Sequence, residues 1–147
     1  MSVDVQPEVV IRRPRAEVAA FMFDPRNDAV WTTGVVESRP LGDGRLAAGA
    51  EVERVVKFLG RQFSYRYLVV AADDDRSVEL RVEKPFPMQV RYELEDVAGG
   101  TRARIHARGE AGGFFRLAAP LLSRMVRKNI TQDLEALKAH LEGRPAT

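Results

Sequence analysis

A chain of 147 residues, 45% apolar and 30% charged, is long enough for one hydrophobic core and short for two, so a single domain over residues 1–147 is expected. Its 23 Lys and Arg against 21 Asp and Glu, with no block of like charge, argue against disorder and give little reason to expect a nucleic-acid partner. With no Cys, disulfides, thiolate nucleophiles and Cys-ligated metals are excluded together. No basic start precedes a long apolar run and no stretch has the length of a membrane span, so a cytoplasmic protein without integral membrane association is expected.

In chain order, Val3, Val5, Val9 and Ile11 alternate with polar residues as in a half-buried strand, and Pro7 removes a donor and marks an edge or a bulge. Pro14 introduces a short helix with Val18, Ala19, Phe21 and Met22 on its apolar face. Asp24 followed by Pro25, a cap and then a first-turn proline, opens a second short helix ending near Trp31. A weak strand from Gly34 to Arg39 leads through the turn residues Gly42, Asp43 and Gly44.

Glu51 to Ala71 reads as a hairpin. A turn at Gly60 and Arg61 sets Phe58 opposite Phe63, Val56 opposite Tyr65, Arg54 opposite Tyr67 and Val52 opposite Val69 on one face. Glu51, Glu53, Lys57, Ser64 and Arg66 share the other, wetter face, so the aromatic face is expected to point inward. Arg54 is the odd residue there: a polar group of a pocket, or an exposed strand-end residue paired with Glu.

After a turn at Asp73, Asp74 and Asp75, Val78, Leu80 and Val82 alternate as a strand. The loop Lys84, Pro85, Phe86, Pro87 precedes a further strand with Met88, Val90, Tyr92 and Leu94 on one face. A turn at Ala98, Gly99 and Gly100 pairs Leu94 with Ala103, Tyr92 with Ile105 and Val90 with Ala107 inside, and Glu93 with Arg104 and Glu95 with Arg102 outside. The small inner residues Ala103, Ala107 and Gly109 either let a helix pack closely or leave room for a ligand, in a cavity of roughly 300 to 1,000 Å³.

The last segment, Phe114 to Glu142, carries Leu117, Ala118, Leu121, Leu122, Met125, Val126, Ile130, Leu134, Leu137 and Leu141 at helical spacing, and Gly143 and Pro145 end it. Pro120 implies a kink or break near Ala118, with Gly112 and Gly113 as a hinge and Phe114 and Phe115 on a mobile lid. The chain shows no Ser/His/Asp set, no metal-spaced cluster and no phosphate-cradling glycine motif, and His106 and His140 both read as solvated. Neither a metal nor a cofactor is expected. The outward Arg residues of the last strands alternate with Glu as a cross-strand ladder, unlike a nucleic-acid track.

The run from Ile11 through Arg12, Arg13, Pro14, Arg15, Ala16 and Glu17 to Val18, followed by Phe21, Asp24 and Trp31, resembles the opening of the polyketide cyclase/dehydrase branch of the START-like (SRPBCC) superfamily. The ending is similar too, from Pro120, Leu121 and Leu122 through Asp133, Leu134, Leu137 and Lys138 to Leu141 and Glu142. The resemblance implies an α+β helix-grip fold, in which a seven-stranded curved antiparallel sheet wraps a long C-terminal helix and two short helices separate the first two strands. It also implies an apolar pocket between sheet and helix. Around that pocket fall Trp31, Arg54, Val56, Phe58, Phe63, Tyr65, Tyr67, Phe86, Met88, Tyr92, Phe114, Phe115, Leu121 and Met125, each of which could equally fill a core. Arg54, Tyr65 and Tyr67 stand out, because a buried guanidinium or phenol needs a polar partner and a pocket needs a few such groups to orient its ligand.

The function implied is binding of a hydrophobic or aromatic small molecule, lipid-like or polyketide-like. The alternatives are an aromatase/cyclase-type enzyme, in which Arg54, Tyr65 and Tyr67 orient a polyketide and polarise its carbonyls, and a protein-interaction module without a ligand. A monomer or weak dimer is expected.

Overall fold

The computed structural model describes residues 2–42, 47–58, 60–83, 87–110 and 119–143. Among them the alternating segments form β1 (Ser2–Val5), β2 (Glu8–Ile11), β3 (Val35–Pro40), β4 (Glu51–Phe58), β5 (Arg61–Asp73), β6 (Ser77–Val82), β7 (Met88–Val97) and β8 (Gly100–Glu110). The helices are α1 (Arg15–Met22), α2 (Asp28–Trp31) and α3 (Ala119–Glu142), with a 3₁₀ turn at Pro25–Asn27 capped by the Asp24 side chain, which accepts from Arg26 N. The strands form one antiparallel, curved sheet in the order β1-β8-β7-β6-β5-β4-β3, with β2 also on β8.

β1 and β2 are one strand in two pieces. Both keep the same offset against β8, Val5 opposite Ala107 and Glu8 opposite Arg104, and the ladder breaks only at Gln6-Pro7, where Pro7 O still accepts from Ile105 N at 3.0 Å. At the far end of this pairing only glycine fits opposite the chain, since a Cβ on Gly100 would lie 2.1 Å from Ile11 O.

The β7–β8 register is the expected one on both faces. The β4–β5 register is not. Phe58 pairs with Arg61, so the turn falls one residue earlier than Gly60-Arg61, with Gly60 at φ +76°. Moving a turn by one residue moves every partner by two, which leaves the faces unchanged but sets Arg54 opposite Tyr65, Val56 opposite Phe63 and Val52 opposite Tyr67. In β3 a bulge at Val36 reverses the alternation: Val35 opposes Val56, and Ser38, not Glu37, then stands opposite Arg54 on the inner face.

α3 is described over Ala119–Glu142, with Pro120 its second described residue. The break expected near Ala118, the hinge and the Phe114–Phe115 lid lie outside the described residues. The helix is about 36 Å long at 1.5 Å per residue and packs against β1, β2 and α2. Leu134, Leu137 and Leu141 join the main core with Ile11, Val18, Met22, Val69 and Leu80, while Leu122, with Met125 and Val126 beside it, meets Val3 and Met88 in a second cluster. Leu121, expected on this stripe, is instead 70% exposed, because it sits about 100° round the helix from Leu122.

The last turn of α3 covers the free edge of β2. Lys138 Nζ donates to Val10 O at 2.7 Å, Glu142 Oε2 accepts from Arg12 N at 2.8 Å, and the two side chains pair with each other at 2.6 Å. Sheet and helix together make the helix grip that the element order implies.

Candidate functional site

The inner face of β4 and β5, flanked by α2, holds a buried polar cluster centred on Arg54. Arg54 lies opposite Tyr65, and α2 starts with its carboxylate, Asp28, on the same spot. Arg54 Nε donates to Asp28 Oδ2 at 3.0 Å and Nη2 lies 2.9 Å from the same oxygen. Nη1 donates to the Tyr65 hydroxyl at 3.1 Å and Nη2 to the Tyr92 hydroxyl at 3.4 Å, while the guanidinium carbon stands 4.7 Å from the centre of the Tyr67 ring. Ser38 Oγ, brought inward by the β3 bulge, also donates to Asp28 Oδ2, at 3.0 Å. Arg54 is 7% and Asp28 1% exposed, so the alternative of an exposed strand-end arginine is corrected: its partner is a buried aspartate on another element.

A guanidinium carries five N–H groups; the hydrogen bonds to Asp28, Tyr65 and Tyr92 engage three, Nη2 also pairs with Asp28, and one hydrogen on Nη1, the nitrogen directed at Tyr65, has no further partner among the described residues. Burial opposes the Arg54 charge, but Tyr65, Asp28, Tyr92 and Tyr67 together hold its pKa well above the ordinary value. Burial raises the Asp28 pKa, and the Arg54 charge and the Ser38 hydrogen bond only partly offset it. Burial likewise pushes the Tyr92 phenol up to about 12 and Tyr67 higher still, against the pull of Arg54, so both are neutral donors and acceptors at ordinary pH.

A second buried carboxylate, Asp133, sits on the apolar stripe of α3. It accepts from Thr33 N at 2.6 Å and from Thr33 Oγ1, tying α3 to the end of α2, and burial raises its pKa in spite of these bonds. Trp31 lies edge-on to Tyr92 with ring centres 5.8 Å apart. Trp31 Nε1 and Thr32 Oγ1 are buried with no hydrogen-bond partner among the described residues.

From this cluster the inner aromatics of β5 step outward: Tyr67 is 2% exposed, Tyr65 half-buried and Phe63 37% exposed, with the Phe63 and Tyr65 rings 6.4 Å apart. Val56 and Tyr92 are buried beside them, and Met88 and Met125 are half-buried in the second cluster with Leu122. The structure thus gathers Trp31, Arg54, Val56, Phe63, Tyr65, Tyr67 and Tyr92 on one inner surface. It sets Leu121 on the outside, and the Phe58 side chain, Phe86, Phe114 and Phe115 lie outside the described residues. Ala103 and Ala107 are at 0% exposure, so no water-sized space touches them, whereas Gly109, near the end of β8, borders a cleft with Val3, Asp4, Met88 and Arg108.

The sequence reading leaves out Asp28 and Ser38 and names Asp133 only within the family-like ending. Asp133 carried a signal, since it falls among Ile130, Leu134 and Leu137 on an apolar stripe; Asp28 and Ser38 depend on pairing between distant elements. The histidines divide. His106 lies on the outer face and meets Asp4 at 2.8 Å, whereas His140, expected in solvent, stacks on Phe21 at 4.5 Å with Nε2 buried. No group of three or more metal-ligating side chains occurs among the described residues.

Among curated proteins none matches the sequence. In fold the chain is similar to StfQ, a di-domain ARO/CYC from the steffimycin biosynthetic pathway, with TM-score 0.81 and 11% identity over 98% of this chain and 52% of that one. It is similar also to TTHA0849 from Thermus thermophilus (TM-score 0.79, 15% identity, 97% of this chain and 99% of that one). A START superfamily protein from Mycobacterium smegmatis gives TM-score 0.77 at 12% identity, over 95% of this chain and 97% of that one. At these identities the likeness is one of fold. The sequence pattern of one family matches residues 2–142, nearly the whole chain, and by it this protein belongs to the family described as polyketide cyclase / dehydrase and lipid transport.

Proposed function

We propose that the chain binds a hydrophobic or aromatic small molecule, lipid-like or polyketide-like, between the inner face of β4–β5 and α3, with its polar end toward Arg54. Family membership supports a hydrophobic-ligand-binding or cyclase role. The observation that carries the narrower reading is the graded row Tyr67, Tyr65, Phe63, an aromatic surface that runs from a buried cation to solvent. Such a row gives an apolar body something to lie on, and the spare Nη1 hydrogen of Arg54 and the unpartnered Trp31 Nε1 offer donors to an oxygen at its inner end. Mass spectrometry of molecules released from the purified protein by denaturation tests this. A recovered apolar compound, depleted in a Phe63→Ala variant, is the expected result; a compound equally abundant in both proteins contradicts it.

One contact favours a second reading, an aromatase/cyclase-type reaction on a polyketide. Arg54 donates to the Tyr65 hydroxyl, leaving that phenol's own proton free to point at a substrate carbonyl and polarise it. In that case Tyr65→Phe keeps binding and loses turnover.

A further inference from the structure

The near-zero net charge hides a segregation. Residues 54–72 hold four of the Lys and Arg residues and no Asp or Glu, and residues 111–132 hold another four and again no Asp or Glu. The other 106 residues therefore carry 15 cations and 21 acids. Arg54 is neutralised inside by Asp28, but Lys57, Arg61 and Arg66 are exposed on the β4–β5 hairpin, and Arg124, Arg127 and Lys128 are exposed on the first half of α3. Of these six, only Arg66 has an acidic partner among the described residues, Glu53 at a loose 3.8 Å.

The two stretches lie toward the same end of the molecule. The hairpin turn, the start of β7 and the end of β8 lie at the same end of the sheet, as Tyr67 opposite Val82, Val82 opposite Met88 and Met88 opposite Gly109 require. The first turns of α3 pack there too, Leu122 and Met125 against Val3 and Met88. Phe63 and Leu121 are exposed at this end, two large apolar side chains, the one on the hairpin with Lys57 and Arg61 and the other on α3 with Arg124, Arg127 and Lys128.

Unpaired cations around protruding apolar side chains complement a surface that is anionic above and hydrocarbon below. A nucleic acid offers the charge without a place for Leu121, and a protein partner would not require the cations to be spread over hairpin and helix alike. No described helix is long and apolar enough to cross a membrane, so the contact is with the surface only. We propose that this end of the molecule docks on an anionic lipid bilayer, Phe63 and Leu121 entering the interface and Lys57, Arg61, Arg124, Arg127 and Lys128 meeting the headgroups. The inference rests on charge and exposure, independently of what the interior binds.

Flotation of the full chain with vesicles tests it, comparing phosphatidylcholine alone with an equal mixture of phosphatidylcholine and phosphatidylglycerol. Recovery with the mixed vesicles only, lost as salt shortens the screening length from about 30 Å to about 8 Å, is expected. Each cation near such a surface is worth about fivefold in affinity, so Lys57→Gln with Arg61→Gln, and separately Arg124→Gln with Arg127→Gln, should each weaken binding about 25-fold. Leu121→Asp should weaken it as well, while Arg76→Gln, an exposed cation in the β5–β6 turn, should not. All are surface changes, and a circular dichroism melt checks that each variant folds. Equal recovery with both vesicles, recovery with neither, or an equal loss with Arg76→Gln overturns the proposal. Tighter binding to a duplex DNA oligonucleotide, weakened by the same variants, would also overturn it and assign the face to nucleic acid.

Discussion

Where β2 ends, the last turn of α3 closes the interior: Leu134, Leu137 and Leu141 are buried against Ile11, Val18 and Met22, and Lys138 and Glu142 satisfy the strand edge. Where β4 turns into β5 the same helix and the same sheet leave Phe63 and Leu121 in solvent and a charged cluster just beneath. The first end is built as a core is built, mainly from apolar side chains, with Thr101 donating to Arg13 O and His140 stacked on Phe21. The second keeps polar groups in the interior, at a desolvation cost that a purely structural end would avoid. On the function proposed above, stability and binding fall on different residues of one helix and one sheet, and substitutions should separate them.

The largest effect is expected at the boundary between the two ends. Arg54→Met strands the Asp28 carboxylate in the interior and should cost about 3–5 kcal/mol in urea denaturation. Adding Asp28→Leu should recover much of that loss, whereas an additive loss would mean that the pair is not the coupled unit described. At the closed end, Leu137→Ala should cost about 2–5 kcal/mol, with binding changed only as far as folding is.

A smaller effect concerns Asp133. Its folded pKa is raised above 3.8, so the native state binds the proton more tightly than the unfolded chain, and stability contributed by the protonated form is lost as pH rises through the folded value. Asp133→Asn keeps an acceptor for Thr33 and cannot ionise. Its stability should fall less over the window above pH 3.8, leaving it at neutral pH as stable as the parent or more so by on the order of 1 kcal/mol; a steeper fall in the variant contradicts the assignment. Smallest of all, Leu121→Ser at the open end should change stability by no more than about 0.5 kcal/mol.

What the sequence disclosed follows the same division. The β7–β8 register could be read from alternation and its glycine turn, because a wrong parity would have put Glu93 and Arg104 in the core. The β4–β5 register slid by two because neighbouring turn positions preserve the faces and differ only in the partners. Nothing local announces the bulge at Val36 that turns Ser38 inward, and Asp28 meets Arg54 only through the packing of α2 on the sheet. Of the small residues of β8, Ala103 and Ala107 are packed over while Gly109 borders a cleft, and further open surface lies beside Phe63 and Tyr65. The acid-free stretches were present in the sequence but invisible in its net charge, since 21 acids against 15 cations elsewhere cancel most of them.

The most direct test of the central claim uses the single tryptophan. Trp31 lies against Tyr92, whose hydroxyl accepts from Arg54, so its fluorescence reports on the cluster at the inner end of the aromatic row. Titration with 1-naphthol should give a saturable change in that fluorescence, weakened in Tyr65→Ala and unaltered in Leu121→Ser. The absence of any saturable change, or an identical response in Tyr65→Ala, would contradict a binding surface between β4–β5 and α3.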